Sequence, residues 1–244
     1  MPRDHLIAST IAKKQQLQSK IWQKLAREIK TAVKVGGSNI DANPRLKAAI
    51  DKGLQNNLSR ESIEKNINGS NKDPNEMTSL EYECYGPNGI QIIVTALTDN
   101  TNRTASNLRG YLSKLHGEIA KANSVKIFFD NLGVIVLYKN IGQSKDNIEE
   151  IILNNNVNGY IDTNESNEIF TVNTESNDNF YKIKELLLNK GYSLIEAAIK
   201  LVAQNKVTKL DDENKARLER FIDACDQDED IQTVVTNYEE TCNC

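Results

Sequence analysis

Residues 80–115, LEYECYGPNGIQIIVTALTDNTNRTASNLRGYLSKL, set the architecture of the middle of the chain. Leu80 to Tyr85 alternates apolar and polar side chains, GPNG is a turn, and Ile90 to Leu97 is a β-branched run suited to a buried strand. The polar string LTDNTNRT then sits where a strand ends and a helix begins. Thr98, Asp99, Asn100 or Asn102 can cap the free N–H groups of a helix over 103–116, whose Leu108, Leu112 and Leu115 recur on one face. Two antiparallel strands followed by an amphipathic helix are the start of a layered α/β domain.

Downstream, the pattern predicts a strand at Ser124–Phe129, a strand GVIVLY from Gly133, and a helix over 146–154. Strands follow near Val157–Ile161 and Glu168–Val172, then a helix over 178–190, five elements of what looks like a β-α-β-β-α-β unit whose closing strand is not located. Asp211 to Cys225 reads as a helix with Leu218, Phe221 and Ile222 inward, and the acidic run DQDED, 226–230, as a solvated turn. The final strand, Ile231–Thr236, is expected to return to the middle domain and so make the third unit an insertion.

Upstream, the chain reads as helical. A long helix spans about Ser9 to Lys34, with Ile21, Trp22, Leu25, Ile29, Ala32 and Val33 in one arc. Lys13, Lys20, Lys24, Arg27 and Lys34 lie roughly opposite, beside Lys14. Gly36 and Gly37 fit a helix end, Asn43 caps and Pro44 opens a second helix with Leu46, Ile50 and Leu54 at four-residue spacing. Ser59 caps a third helix with Ile63 and Ile67 inward, and NGSNKDPNE, 68–76, is a linker. The fold class is therefore α+β with three domains: a three-helix bundle at 1–77 followed by two α/β (ferredoxin-like) domains, a middle one at 78–133 plus 206–244 and, inserted into it, a third at 134–205.

Charge divides along the same line. The first 72 residues carry 14 Lys/Arg against 6 Asp/Glu, and the remaining 172 carry 16 against 28. A polyanion is attracted to the front of the chain and repelled by the rest, the signature of a nucleic-acid-binding module. Arg45, Lys47, Lys52 and Lys65 extend the basic excess beyond the first helix. Lys rather than Arg, Asn or Gln dominates that face, which suits phosphate contact more than base reading in a duplex groove. Tyr82 and Tyr85 flank the Pro-Asn-Gly turn, where they either stack on unpaired bases or pack under the sheet. Arg103 in a first helical turn opposes the helix dipole, so it is held by an acidic neighbour or kept for an anion such as phosphate; Arg109 follows on the same helix.

Other chemistries find little support. There are two histidines, His5 and His116, far apart in sequence, and no phosphate-cradling glycine loop, nucleophile elbow or metal-ligand spacing, so neither catalysis nor a cofactor is expected. The cysteines at 84, 225, 242 and 244 form no C-x-x-C pair and read as free thiols in a reducing compartment, the cytoplasm first and the matrix of a mitochondrion or other organelle as the alternative. No apolar run is long enough to span a membrane.

The strings KLAREIKTAVKVGG, NPRLKAAIDK, IEKNING, YECYGPNGIQIIVTALTDNTNRTASNLR and SVKIFFDNLGVI, with the closing VVTNYEE, resemble the YebC/PmpR family of gene-expression regulators. Departures occur at the opening RDHLIASTIAKKQ, at Leu58-Ser59-Arg60 and at His116-Gly117, where the family carries Gly-Gly. The resemblance implies three domains with the C-terminal segment folded back on the second. It also implies a nucleic-acid partner: rRNA or mRNA with the ribosome, for a translation factor, or DNA, for a transcriptional regulator. A monomer without a membrane partner is the accompanying expectation.

Overall fold

The computed structural model describes residues 3–70, 77–140, 143–155, 157–162, 169–176 and 178–239, with side chains from Gln18 onward and Asp162 in backbone only. By contact the chain separates into two compact units: residues up to 126 together with those from 207, and residues 127–206.

The first unit opens with α1 (Arg3–Gly36), α2 (Pro44–Gln55) and α3 (Arg60–Gly69). Leu25, Ile29, Ala32 and Val33 of α1 pack with Leu46, Ala49 and Ile63. The turn between the first two helices is pinned by Asn43, whose Oδ1 accepts from Leu46 N at 3.1 Å and whose Nδ2 donates to Ala32 O and Gly37 O at 2.8 Å. Ser59 caps α3 through Ser62 N at 3.2 Å, as its position predicts. Two apolar expectations shift. Leu54 is largely exposed and Gly53 takes the inward place, because the stripe runs 46, 49, 53 and lets Leu58 close over the glycine. Trp22 is 38 % exposed, standing at the edge of the bundle with its indole N–H donated to Asn56 O.

The sheet of this unit is antiparallel in the order β3-β1-β2-β8, formed by β1 (Thr78–Tyr85), β2 (Gln91–Thr98), β3 (Glu118–Ile119) and β8 (Ile231–Thr236). α4 (Thr101–Leu115) and α7 (Asp212–Gln227) cover one face, burying Leu108, Leu112, Leu115, Leu218 and Phe221 against Cys84, Ile92 and Val94. Asn100 is the α4 cap, accepting from Arg103 N at 3.0 Å. At the other end of α4, His116 adopts φ 61°, the left-handed conformation that the family's glycine would take more readily.

The second unit is β4 (Phe129–Tyr138), α5 (Lys145–Asn154), β5 (Gly159–Asp162), β6 (Ile169–Glu175), α6 (Asp178–Asn189) and β7 (Leu194–Ala203), with antiparallel sheet order β5-β6-β4-β7, the ferredoxin-like arrangement. Its core joins Ile135, Leu137 and Val172 of the sheet to Ile148, Ile152, Phe180, Ile183 and Leu187 of the helices. The strand expected at Ser124–Phe129 is instead a short 3-10 turn, Lys126–Phe128, running into β4, so the contact boundary falls at 127, ahead of the Gly133 end expected for the middle domain. Gly133 lies within β4 under Phe180: a Cβ there would stand 2.4 Å from the Phe180 ring and 2.7 Å from Thr174 Oγ1. Gly133→Ala is expected to cost about 1–3 kcal/mol by overpacking, read as a lower urea midpoint with an unchanged m-value.

Candidate nucleic-acid interface

Packing of the Leu25/Ile29/Ala32/Val33 stripe into the bundle leaves Lys20, Lys24 and Arg27 on the flank of α1, and the acidic run after α7 meets them there. Lys20 Nζ donates to Gln227 O at 3.0 Å. Arg27 donates to Glu229 O at 2.9 Å, pairs with the Glu229 carboxylate at 2.7 Å and reaches Asp230 Oδ1 at 3.1 Å. Lys24 is half-buried; burial lowers its pKa, against the upward pull of Asp226 and Asp228. The open cationic face expected along α1 is thus, at these three positions, a seam closed by residues of the same unit. DQDED is correspondingly no solvated turn, since Asp228 and Asp230 are buried.

Asp230 is the centre of that seam. Its carboxylate accepts from Arg103 Nε at 3.1 Å, from Arg103 Nη2 at 2.7 Å and from Thr104 Oγ1 at 3.0 Å, in addition to Arg27. Burial pushes the Asp230 pKa up, but the bonds from Arg103 and Thr104 and the Arg103 charge outweigh it, and the net shift is downward. Arg103, which also pairs with Asp99 at 2.7 Å, is therefore held by acidic neighbours, which decides between its two sequence readings. Asp228 accepts from Asn107 Nδ2 at 3.1 Å and Tyr111 OH at 2.9 Å, and burial followed by this bond drives the Tyr111 phenol up to about 12.

The remaining expected contacts scatter. Arg45 pairs with Glu28 at 2.8 Å. Lys34 is exposed in the last turn of α1, where a cation suits the helix dipole. Lys47 is exposed on α2. The side chains of Lys13 and Lys14 lie outside the described residues. Tyr82 is half-buried, packed against the sheet core, and Tyr85, also half-buried, donates its hydroxyl to Ser124 O at 3.0 Å, so each ring has a packing role in the sheet domain. Arg109 is exposed on α4, near enough to Tyr82 to oppose, by its charge, the upward pull of burial on that phenol.

Lys47, Lys52 and Lys65, part of the basic excess expected beyond the first helix, are exposed cations of α2 and α3 for which no ion pair is found among the described residues, and Arg60, which the sequence reading did not single out, joins them. Between α1–α2 and the β2–β8 strands lies a cleft of about 620 Å³, with Ala48 and Leu97 among its apolar walls and Lys52, Thr95 and Gln232 among its polar ones. Gln232 Nε2 is enclosed without a hydrogen-bond partner, a state that ordinarily costs about 1–3 kcal/mol. Among the described residues, no group of His, Cys, Asp and Glu is placed to hold a metal, and no helix is long and apolar enough to cross a membrane. Cys84 and Cys225 are buried free thiols, each pushed up to about 12 by burial.

A helical module latched onto an antiparallel α/β sheet, with a second α/β unit inserted before the last helix and strand, defines a class of multi-part α+β proteins. The chain belongs to the TACO1/YebC family: the N-terminal domain of that family matches residues 3–73, and its second and third domains match 77–238. It is 52% identical, over 98% of its length and 99% of the relative's, to a probable transcriptional regulatory protein of Malacoplasma penetrans. One of Enterococcus faecalis is 36% identical over 91% of each chain. The crystal structure of a conserved hypothetical protein from Aquifex aeolicus superposes with a TM-score of 0.74 at 28% identity, covering 91% of this chain and 90% of that one.

Proposed function

We propose that this protein is a non-catalytic regulator of gene expression that binds nucleic acid through its helical module, with RNA, in a ribosome-associated translation role in the cytoplasm, as the first target and duplex DNA as the second. Its relatives, named as probable transcriptional regulatory proteins, support regulation of gene expression. The observation that carries the binding surface is that Lys47, Lys52, Arg60 and Lys65 are exposed with no ion pair found among the described residues, after the acidic seam has taken Lys20, Lys24 and Arg27. Arg109, exposed on α4, can extend it.

RNA comes first because of the outward face of α3. Arg60, Glu61, Glu64, Lys65 and Asn68 share one arc of about 140° at 100° per residue, with two carboxylates inside it. Pushed into a major groove, that helix would carry Glu61 and Glu64 between two phosphate rows, whereas contact along one strand can use Arg60 and Lys65 alone.

Anisotropy titrations of the full chain with a structured RNA and with a DNA duplex, from about 50 to 200 mM salt, test this. Each phosphate neutralised contributes about −0.7 to −0.9 to the slope of log K against log salt. The triple variant Lys47→Ala/Lys52→Ala/Lys65→Ala is expected to flatten the slope by about 2 with little change in melting temperature, since all three side chains are exposed. A wild-type slope near zero overturns the reading, and a duplex that outcompetes RNA moves it to the DNA alternative.

A further inference from the structure

The cleft between α1–α2 and the sheet has a wall that neither the acidic seam nor the exposed cations account for. Thr95 of β2 pairs with Thr233 of β8 and Ala96 pairs with Ile231, which leaves Gln232 as the extra residue of a β-bulge. Bulges of this kind re-aim one side chain out of the strand's alternation and recur beside binding sites. Here the re-aimed side chain lines the cleft, and its Nε2 has no acceptor. Ala48 and Leu97 supply flat apolar wall, and the charged lining sets Lys24, Arg45 and Lys52 against Glu28 and Asp226, with Arg45 already paired to Glu28 and Lys52 exposed. Asn56, which lines the cleft, accepts the indole N–H of the exposed Trp22 at 2.9 Å and so holds that ring next to a lining residue.

We propose that this cleft holds a single unpaired base of an RNA strand. A base has apolar faces for Ala48 and Leu97 and ring or carbonyl acceptors on its edge for Gln232 Nε2–H. The adjoining phosphate reaches Lys52, and a neighbouring base stacks on Trp22, the usual way in which proteins hold unpaired strands. The volume lies within the roughly 300–1,000 Å³ of small-molecule sites. A duplex cannot use the cleft, because its bases are already paired and stacked. The inference rests on the nucleic-acid reading above and adds to it the unpaired strand as the preferred form.

Trp22 is the chain's one tryptophan, so its fluorescence reports directly on the ring held by Asn56. The full chain is titrated at low salt with a single-stranded RNA of about ten nucleotides and with a blunt RNA duplex of the same sequence, a length that spans one binding groove. The single strand is expected to quench Trp22 and to bind about tenfold more tightly than the duplex, the share of one stacked base. Ala48→Phe, at an exposed position of α2, fills the cleft and is expected to erase the preference while leaving duplex affinity unchanged. Gln232→Leu removes the unpaired donor, so its melting temperature holds or rises while single-strand affinity falls about fivefold or more. Equal affinity for both RNA forms, or both variants binding as wild type, overturns the base site and leaves the phosphate surface standing. Failure of both RNA forms to bind at low salt overturns the nucleic-acid reading and the base site with it.

Discussion

Asp230→Ala is expected to lower the unfolding free energy of the first unit by about 3 kcal/mol, measured by urea denaturation with Trp22 fluorescence as the probe. The carboxylate is buried, and it accepts from two guanidinium groups and a hydroxyl that come from α1 and α4. Its removal deprives Arg27, Arg103 and Thr104 of a shared acceptor at once, and hydrogen bonds to charged groups contribute about 1.5–3 kcal/mol each before solvent is counted. Arg27 and Arg103 are 25% and 47% exposed at the side chain, so water replaces part of the loss and the sum falls well short of additive. Arg27→Ala is expected to cost only about 1 kcal/mol, because Asp230 keeps Arg103 and Thr104. A larger loss for Arg27→Ala than for Asp230→Ala would show that the aspartate is not the shared anchor. The pair also links stability to binding: without Asp230 the Arg27 cation is freer for phosphate, and affinity for RNA at low salt is expected to rise.

That seam marks where the sequence stops being legible. Local signals were readable because their partners are close in the chain: Asn43 and Ser59 bond amides three residues on, and Leu108, Leu112 and Leu115 follow the helix period. The return of Ile231–Thr236 to the middle sheet was an expectation that the family resemblance also implied, and β8 pairs with β2. Asp230 and Arg27 are 203 positions apart, and no local pattern distinguishes an acidic run that is buried against arginines from one that is solvated. β7 was hidden for a different reason. LIEAAIKLVA is rich in helix formers and lacks alternation, yet its pairing with β4 from Leu194 to Ala203 overrides that propensity. The candidate cleft was illegible too, since a bulge at Gln232 depends on the register of two strands whose paired residues lie about 137 positions apart.

Glu83→Ala is expected to match or exceed the loss at Asp230, at about 3–5 kcal/mol, for the complementary reason that it strands donors of the backbone itself. The Glu83 carboxylate is 7% exposed and accepts from Val125 N at 2.6 Å, Lys126 N at 2.8 Å and Asn123 N, so one side chain of β1 holds the whole segment that leads from β3 into the second unit. Backbone amides cannot turn elsewhere for a partner as an arginine can, and Val125, fully buried, has no water to replace the lost acceptor. Burial raises the Glu83 pKa, but the bonds from Lys126, Val125 and Asn123 outweigh it, leaving the folded value below the ordinary 4.5. A depressed folded pKa stabilises the protein above the unfolded value and ceases to do so as pH falls through the folded one. Wild-type stability should therefore decline as pH drops below about 4.5, and Glu83→Gln, which keeps an acceptor oxygen but cannot ionise, should lose about 2 kcal/mol at neutral pH and show a flatter decline in acid. If Glu83→Gln instead tracked wild type at every pH, the amides of 123–126 would be drawing their stability from somewhere other than the charge of this carboxylate.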